Sequence, residues 1–371
     1  MLYSETIKII LESLGKKDEV DYYLKRFKTE NSDFFSIIVP DYETIELFWE
    51  AFLSPIEILY KIELIPLIYI GGPDYDTYKK KFLEYDFFEI YMIKDKRNFT
   101  IQRKKNKIPV IFCNSIFIKF FYEYSKILPK RIHFVRNTGF IRTYDNENLF
   151  QLEPEEDFKD NWKVLINNKN IIINPADIGI YLYCSHFYNL NPELHISITS
   201  SFLLLKELFT VKGAGTLIRK KTKIIHLKYE DIKENLKYDL KNKIERYFSK
   251  KLKPDALKEI TDIIIDKDYQ SFIILEKKSF GYYLSKFAIS IEARGKGIAQ
   301  DLWDYVESLK IPLFWKTRKD NSIRKWYEKI SDGLIRYENY IIYWKNLSYK
   351  EIPKIMDFII ERGSDFYDEV F

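Results

Sequence analysis

The sequence predicts an α/β protein of two domains, and three observations support this fold class. At 371 residues the chain is long enough for two ordinary domains, each with a sizeable core. In the first part of the chain, short apolar runs alternate with mixed helical segments, which is typical of a parallel sheet covered by helices on both faces. A basic, polar segment at 219–225 then interrupts this pattern. We therefore expect a first domain at 1–222 and a second at 223–371.

In the first domain, residues 1–30 are expected to form one or two helices. The apolar runs that look like buried strands are FFSIIV (34–39), IPLIYI (65–70), IPVIF (108–112), RIHFV (131–135) and HISITS (195–200). Helices are predicted over 43–62, 115–128 and 201–209, and the last of these precedes the glycine-rich GAGTLI (213–218). Strands that alternate with helices predict three layers, with the sheet between two layers of helices.

The second domain mixes helices and strands less regularly. Helices are predicted at 230–249 and 254–266, and strands at 272–278 and 280–290. A further helix begins near residue 298, before the strand LFW (313–315), another helical segment and the strand NYIIYW (339–344). No internal repeat is visible in the sequence.

Composition indicates a compact globular protein. Hydrophobic residues make up 46% of the chain and aromatic residues 17%, with 12 glycines and 12 prolines. The net charge is only +5 and acidic residues are interspersed with basic ones, which argues against a nucleic-acid binder. No run of about 20 apolar residues occurs, so no membrane span is expected. The amphipathic N-terminus resembles neither a signal peptide nor a transit peptide, and we expect a cytoplasmic protein.

The cysteines and histidines indicate neither a disulfide nor a metal site. Cys113 and Cys184 lie far apart in apolar surroundings, as reduced core cysteines do. His133, His186 and His195, like the fourth histidine at 226, show no metal-ligand spacing. We therefore expect no bound metal.

A glycine-bearing turn at 294–299 is the first candidate for a ligand site. Arg294, Gly295, Lys296 and Gly297 follow an apolar stretch and open a helix whose apolar residues share one face. The free N–H groups and positive dipole end of a helix start attract anions, and glycine lets the backbone approach closely. Two glycines before a helix are equally typical of an ordinary turn. The sequence excludes a P-loop and disfavours a Rossmann dinucleotide site.

The turn also fits the pattern Arg/Gln-x-x-Gly-x-Gly/Ala, here Arg294-x-x-Gly297-x-Ala299. This pattern resembles the coenzyme A pyrophosphate signature of the GCN5-related acetyltransferases. The motifs that extend the resemblance are KFAISIEARGKGIAQDLW (286–303), LFWKTRKDN (313–321), KWYEKISDG (325–333) and YIIYWKNL (340–347). Their order resembles the C-terminal acetyltransferase domain of vertebrate-type N-acetylglutamate synthases, including the bifunctional synthase/kinases of some bacteria. The resemblance implies an α+β GCN5-related N-acetyltransferase fold at 223–371.

The resemblance also implies acetyl-CoA as co-substrate and L-glutamate as acceptor. The family's cofactor site is matched by Phe287, Ala288, Ile289, Arg294, Gly295, Lys296, Gly297, Ile298 and Ala299. Its glutamate-binding residues are matched by Lys286, Lys316, Arg318 and Asn321. Lys316 replaces the usual Arg, so a point charge stands where the family has a bidentate fork. Tyr327 matches the family's proposed catalytic tyrosine, and a phenol with a near-ordinary pKa suits proton donation to a thiolate.

The first domain resembles the amino-acid-kinase fold of the same family. LLKELFTVKGAGTLIRK (204–220) resembles its closing segment, and LIYIGGPD (67–74) resembles its second glycine loop. Glu207, Gly213 and Gly215 match an arginine effector site that an N-terminal helix completes in arginine-inhibited relatives. A carboxylate can pair bidentately with a guanidinium, but Glu207 equally suits a helix cap or an internal salt bridge.

Kinase activity is not expected of this domain. Phosphoryl transfer needs cationic and backbone groups that converge on the transferred group. The family's Lys-x-Gly-Gly loop reads Ile38-Val39-Pro40-Asp41 in this sequence. The segment in which the family carries an organising acidic residue reads Arg136-Asn137-Thr138-Gly139.

The sequence therefore predicts an N-acetylglutamate synthase of arginine biosynthesis, inhibited by arginine through a kinase-inactive regulatory domain. Two alternatives stay open. One is residual or full acetylglutamate kinase activity, and the other is a non-catalytic regulatory protein that keeps both folds. The resemblance further implies a homo-oligomer, a dimer of dimers assembled mainly through the kinase-fold half.

Overall fold

The computed structural model of the chain describes residues 2–15, 17–29, 34–72, 75–93, 107–154, 163–166, 169–210, 213–290, 293, 297–321 and 323–370. These residues form two compact units, Met1–Lys220 and Lys221–Phe371. The division falls just before the position where the sequence places the boundary.

The described helices of the first unit are α1 (Leu2–Leu14), α2 (Lys17–Thr29), α3 (Tyr42–Leu47), α4 (Trp49–Lys61), α5 (Tyr75–Leu83), α6 (Phe117–Tyr124), α7 (Pro175–Leu190) and α8 (Leu204–Phe209). Its described strands are β1 (Ile37–Pro40), β2 (Leu67–Gly71), β3 (Phe88–Ile93), β4 (Ile108–Cys113), β5 (Arg131–Val135), β6 (Ile141–Arg142), β7 (Asn148–Leu149), β8 (Gln151–Leu152), β9 (Lys163–Ile166), β10 (Lys169–Ile172), β11 (His195–Thr199) and β12 (Gly215–Ile218). A short 3₁₀ turn at Ser201–Leu203 leads into α8.

The main sheet of this unit has eight strands among the described residues, in the order β3-β4-β2-β1-β5-β11-β12-β8. Neighbouring strands run parallel, except for the antiparallel pair of β11 and β12. Every residue of β4 is buried, so other elements cover both faces of the sheet there. The α/β class and the five predicted strands are confirmed. The helix predicted over 43–62 is divided into α3 and α4 at Phe48.

The described helices of the second unit are α9 (Glu234–Phe248), α10 (Ile298–Ser308), α11 (Arg324–Ile330) and α12 (Ile352–Arg362). Its described strands are β13 (Ile224–Lys228), β14 (Lys250–Leu252), β15 (Asp262–Asp266), β16 (Ser271–Lys278), β17 (Gly281–Ile289), β18 (Leu313–Arg318), β19 (Gly333–Tyr337), β20 (Tyr340–Lys345) and β21 (Phe366–Val370). Short 3₁₀ turns at Tyr229–Asp231 and Tyr349–Glu351 precede α9 and α12.

The main sheet of the second unit has seven strands within the described residues, in the order β13-β15-β16-β17-β18-β20-β19. All neighbours are antiparallel except β17 and β18, which run parallel. The core that includes Leu302 of α10 lies on one face of this sheet. Cores that include Ile244 of α9 and Ile359 of α12 lie on the other face.

The helix predicted over 254–266 is wrong. Residues 254–259 form turns, and Asp262–Asp266 is strand β15 between β13 and β16. All of its residues are buried, and its three isoleucines alternate between the two faces as the period of a strand requires. Carboxylates at both ends of the run resemble the polar side of a helix. Asp262 is nevertheless buried, because Lys228 on β13 pairs with it at 2.6 Å.

The described residues also bear on what the sequence predicts about cysteines, membrane spans and metal sites. Cys113 and Cys184 are both buried and neither forms a disulfide, as the sequence predicts. No described helix is long and apolar enough to cross a membrane. No group of three or more His, Cys, Asp or Glu side chains that could hold a metal ion occurs in the described part of the chain.

Candidate functional site

Strands β17 and β18 lie side by side but separate after a short contact. Tyr282 pairs with Leu313 and Tyr283 with Phe314, and the described residues beyond these pairs share no ladder between the two strands. At the same place Ser285 is an extra residue in the pairing of β17 with β16, which makes a β-bulge. A bulge bends the strand that carries it. The facing edges of the two strands therefore enclose a wedge lined by backbone N–H and C=O groups.

Three of the predicted cofactor residues lie on the edge of this wedge. Phe287 and Ile289 pack against the core on the α10 face, and Ala288 belongs to the core on the α9 face. Backbone N–H groups on such an edge can hold a thioester carbonyl and stabilise the oxyanion that forms during acyl transfer.

The start of α10 holds three more of the predicted cofactor residues. Gly297 precedes the helix with φ +73°, a left-handed conformation that suits glycine. Ile298 is buried in the core and Ala299 is half-buried at the first turn. The predicted residues Arg294, Gly295 and Lys296 lie outside the described residues. The described part is therefore a strand and a helix start, and N–H groups at a helix start can bind phosphate groups.

Tyr327 lies in α11, on the α10 face of the sheet. Its ring centroid is 5.5 Å from that of Trp315 on β18 and 5.6 Å from that of Tyr343 on β20. Its neighbour Trp326 packs against Phe287 on β17 at 5.9 Å. Burial, with a small contribution from Tyr343, raises the pKa of Tyr327 well above its ordinary value. The expected near-ordinary pKa is not observed, because the sequence does not show the depth of burial. The phenol stays protonated and can donate.

Lys286 lies on the opposite face of the sheet, at the wedge. Its register partner is Ile274, which belongs to the core on the α9 face. The side chain is buried, and its ammonium donates to the hydroxyl of Ser285 at 2.9 Å and pairs with the carboxylate of Asp365. Burial lowers the pKa of Lys286, and Asp365 partly offsets this effect.

Lys316 lies on the same face, two residues after the buried Phe314 of β18. Its ammonium donates to the backbone carbonyl of Gly363 and lies 5.0 Å from the ring centroid of Tyr340. Burial lowers the pKa of Lys316 to about 8, while Asp365 favours the charged form. The structure therefore brings two of the predicted substrate residues together.

The other two predicted substrate residues lie nearer to solvent. Arg318 ends β18 with an exposed side chain, and its Nε is 3.2 Å from Oδ1 of Asp320. Asn321 donates from Nδ2 to the hydroxyl of Thr317 at 2.9 Å. In the described part of the chain these two side chains lie at the exposed end of β18 and contact Asp320 and Thr317, not Lys286 or Lys316.

Sequence reasoning did not predict the partners of these lysines. Arg362 ends α12 and Asp365 lies three residues after it. Arg362 forms two bonds of 2.6 Å to the buried carboxylate of Glu276 on β16. Asp365 is 79 positions beyond Lys286 in the sequence. No local pattern connects residues so far apart, so only the fold reveals them.

The predicted effector residues of the first unit converge on one turn. The Glu207 carboxylate on α8 accepts the backbone N–H of Ala214 at 2.6 Å. Gly213 has φ +67°, and a Cβ there would lie 2.5 Å from Oε2 of Glu207. A Cβ on Gly215 would lie 2.3 Å from the carbonyl oxygen of Ile198. Burial raises the pKa of Glu207, although the Ala214 N–H opposes this effect.

Two histidines lie on adjacent strands near this turn. The Nδ1 atom of His133 is 2.7 Å from the hydroxyl of Ser197, and the rings of His133 and His195 are 5.9 Å apart. Burial lowers the pKa of His133 to about 3 and that of His195 well below its ordinary value. Both rings are therefore neutral. Phe27 of α2 packs on Phe209 of α8 at 5.9 Å, so an N-terminal helix covers this region.

The loops after β1 and β2 differ from an open phosphate site. The Asp41 carboxylate accepts the backbone N–H of Thr44 at 2.7 Å and caps α3. The Tyr42 hydroxyl donates to the carbonyl of Gly71, and a Cβ on Gly72 would lie 2.0 Å from that hydroxyl oxygen. The Asp41 carboxylate and the Tyr42 ring therefore lie at the two loops that the resemblance compares with phosphate-binding loops.

A buried carboxylate crosslinks the segment that follows β5. Asp177, near the start of α7, is fully buried and pairs with Arg136 at 2.8 Å and with Arg142 at 2.9 Å. It also accepts the backbone N–H of Arg142 at 3.0 Å. Arg136, which begins the segment where the resemblance places an acidic residue, is therefore held in an internal ion-pair network.

Comparison with known proteins gives a family model and curated relatives that match this chain. Residues 225–362 match the family model described as NAT, the N-acetyltransferase of N-acetylglutamate synthase. The chain is 31% identical over 162 residues to acetylglutamate kinase of Xanthomonas campestris pv. campestris, and the aligned part covers 42% of this chain and 38% of that protein. It is 28% identical over 227 residues to mitochondrial N-acetylglutamate synthase of Mus musculus, which covers 59% of this chain and 42% of that protein. The matched part spans less than half the length of these relatives.

Among solved structures, the chain is similar to N-acetylglutamate synthase from Neisseria gonorrhoeae complexed with coenzyme A and L-arginine. The two chains are 12% identical with a TM-score of 0.46, over 89% of this chain and 98% of that chain. The family model and the curated relatives confirm the resemblance that the sequence motifs indicate. Residues 225–362 of the second unit are thus similar to the N-acetyltransferase domain of N-acetylglutamate synthase.

Proposed function

We propose that this chain is an N-acetylglutamate synthase that transfers acetyl from acetyl-CoA to the α-amine of L-glutamate in arginine biosynthesis. The observation that carries the proposal is the wedge between β17 and β18. A helix start suited to pyrophosphate lies on one face of the sheet, and the buried Lys286 and the half-buried Lys316 lie on the other. Such a wedge accepts a thioester from one side and an anionic acceptor from the other.

Each predicted residue has a role in this proposal. The segment 294–299 holds the coenzyme A pyrophosphate, and the β17 edge at 287–289 binds the thioester carbonyl. Lys286, Lys316, Arg318 and Asn321 bind the carboxylates of glutamate. Tyr327 supplies a proton to the departing thiolate.

The test of the proposed function is release of coenzyme A from acetyl-CoA with single amino acids. We expect L-glutamate to be the preferred acceptor, since two cations favour the binding of an amino acid that carries two carboxylates. Lys316→Met should raise the KM for glutamate at least about tenfold and leave the KM for acetyl-CoA unchanged, because a charge-assisted contact is worth more than about 1.4 kcal/mol. Lys345→Met, on the neighbouring strand β20, is the matched control.

Two other outcomes would favour the alternatives. Binding of acetyl-CoA without glutamate-dependent release of coenzyme A would favour a non-catalytic regulatory protein. Formation of ADP from ATP and N-acetylglutamate would favour a kinase, as the name of the Xanthomonas relative indicates for that protein. We expect no ADP, because Asp41 and Tyr42 occupy the loops that would have to receive the phosphates.

We also propose that the first domain, 1–222, is a kinase-inactive regulatory domain that binds L-arginine, and that 223–371 is the catalytic domain. Glu207, Gly213 and Gly215 lie together beneath an N-terminal helix, which supports this assignment. The contact of Glu207 with the Ala214 N–H shows that the carboxylate also stabilises its own turn.

Glu207→Gln should abolish the inhibition by arginine and leave basal acetyl transfer unchanged. The amide keeps an acceptor for the Ala214 N–H but loses the charge that a guanidinium requires. Inhibition curves with arginine and arginine-induced shifts in melting temperature measure the effect. Glu245→Gln is the matched control, because that carboxylate accepts a backbone N–H from Leu252 at 3.0 Å in the second unit. Full arginine sensitivity in Glu207→Gln would refute the effector site.

The remaining expectations are carried over from the family as part of the proposal. They are assembly as a homo-oligomer, a dimer of dimers through the first domain, and the absence of a nucleic-acid or membrane partner. The mouse relative is named as mitochondrial, and the cytoplasmic location of this chain stays a prediction.

A further inference from the structure

Lys286 and Lys316 at the wedge both contact one short segment after α12. Lys286 pairs with the carboxylate of Asp365, and Lys316 donates to the carbonyl of Gly363. The family model ends at residue 362, so this segment lies beyond the matched residues. Two separate contacts from the same segment to the two lysines indicate that the segment belongs to the acceptor site.

The Lys286–Asp365 pair is largely buried, and Asp365 is also held by a second cation. Side-chain exposure is 2% for Lys286 and 13% for Asp365. The second oxygen of Asp365 accepts from Arg362 at 3.1 to 3.2 Å, and Arg362 is itself held by Glu276. Asp365 therefore keeps a cationic partner even when Lys286 turns to another anion.

Opening a buried ion pair is costly unless both charges find new partners. A ligand with a carboxylate and no amine can take the place of Asp365 at Lys286, but it leaves Asp365 without its lysine partner. An α-amino acid carries a carboxylate and an ammonium on the same carbon, so it can satisfy both members of the opened pair. Its insertion leaves no buried charge unpaired.

We propose that the Lys286–Asp365 pair is replaced by the acceptor amino acid, whose α-carboxylate binds Lys286 and whose α-ammonium binds Asp365. This inference rests on the proposed function and adds Asp365 as an acceptor-binding residue. Lys316 has a carbonyl as its partner in the described part of the chain, and it takes the second carboxylate of the acceptor. The α-nitrogen is then held at the wedge, where the thioester arrives.

The test compares L-glutamate with glutarate, which has both carboxylates and no amine. In Asp365→Asn we expect the KM for glutamate to rise at least about tenfold, since a charge-assisted contact is lost. The inhibition constant of glutarate should stay the same or fall, because glutarate needs Lys286 but not Asp365. Asp262→Asn is the matched control, since that buried carboxylate also pairs with a lysine, Lys228, on another strand.

Other outcomes would overturn the inference. Weaker binding of both ligands would mean that Asp365 only positions Lys286, and tighter binding of both would mean that Asp365 only competes with the acceptor. If Asp365→Asn does not fold, as judged by its melting temperature and its KM for acetyl-CoA, the wild-type protein gives the answer. It should bind glutamate at least about tenfold more tightly than glutarate, and equal affinities would refute the proposal. Absence of glutamate-dependent coenzyme A release in the wild type would instead refute the proposed function.

Discussion

Tyr327→Phe should lower kcat by about 100-fold or more, the usual contribution of a positioned general acid. The KM values for acetyl-CoA and glutamate should change by less than about twofold, because the hydroxyl acts on the leaving thiolate and not on the bound ground state. The ring contacts with Trp315 and Tyr343 do not involve the hydroxyl, so folding should be unaffected. Initial rates at saturating concentrations of both substrates measure the effect.

Tyr343→Phe is the matched control for this variant. Tyr343 lies next to Tyr327 and is fully buried, and its hydroxyl has no hydrogen-bond partner within the described residues. Loss of this hydroxyl should leave kcat within about twofold of wild type, since it contributes no positioned proton. Equal rates in wild type and Tyr327→Phe would remove Tyr327 from the mechanism. Equal losses in both variants would point to packing and not to proton transfer.

Asp177→Asn should lower the free energy of unfolding of the first unit by about 3 kcal/mol, the typical cost of breaking a buried ion pair. The variant leaves Arg136 and Arg142 without their shared carboxylate, and its amide N–H groups face donors. Urea unfolding followed by hydrogen exchange in peptides from β5 and α7 measures the change in this unit.

Glu193→Gln is the control for Asp177→Asn. Glu193 pairs with Lys130, but their side chains are 70% and 64% exposed. An exposed pair of this kind contributes little to the free energy of unfolding, because solvent screens the two charges. A loss in Asp177→Asn no larger than that of the control would show that the two arginines find other partners in the first unit.

The fold of the first unit could be predicted in large part, because its strands are continuous apolar runs. IPVIF (108–112) and RIHFV (131–135) are buried on both faces, and so their sequences need no alternation to be recognised. The sequence predicts a helix where Asp262–Asp266 forms a strand, because the carboxylates at its ends resemble a polar helix face. Only the pairing partners on neighbouring strands show how those charges are buried.

The candidate site could be predicted only where its residues lie close together in the sequence. Lys286, the turn at 294–299 and Tyr327 belong to local motifs. Asp365 belongs to the end of the chain, where no motif marks it. The burial of Tyr327 that raises its pKa, and the position of Tyr42 over the second glycine loop, depend on contacts between distant segments. Such contacts have no local sequence pattern.

The wedge between β17 and β18 also has a consequence for the order of events in the proposed reaction. Donor and acceptor approach the thioester carbon from opposite faces of one sheet, so neither has to leave before the other arrives. Both reactants then reside on the protein at once, and the acetyl group passes directly from sulfur to nitrogen. In the proposed reaction the two reactants meet at the wedge, and no side chain has to carry the acetyl group from one face of the sheet to the other.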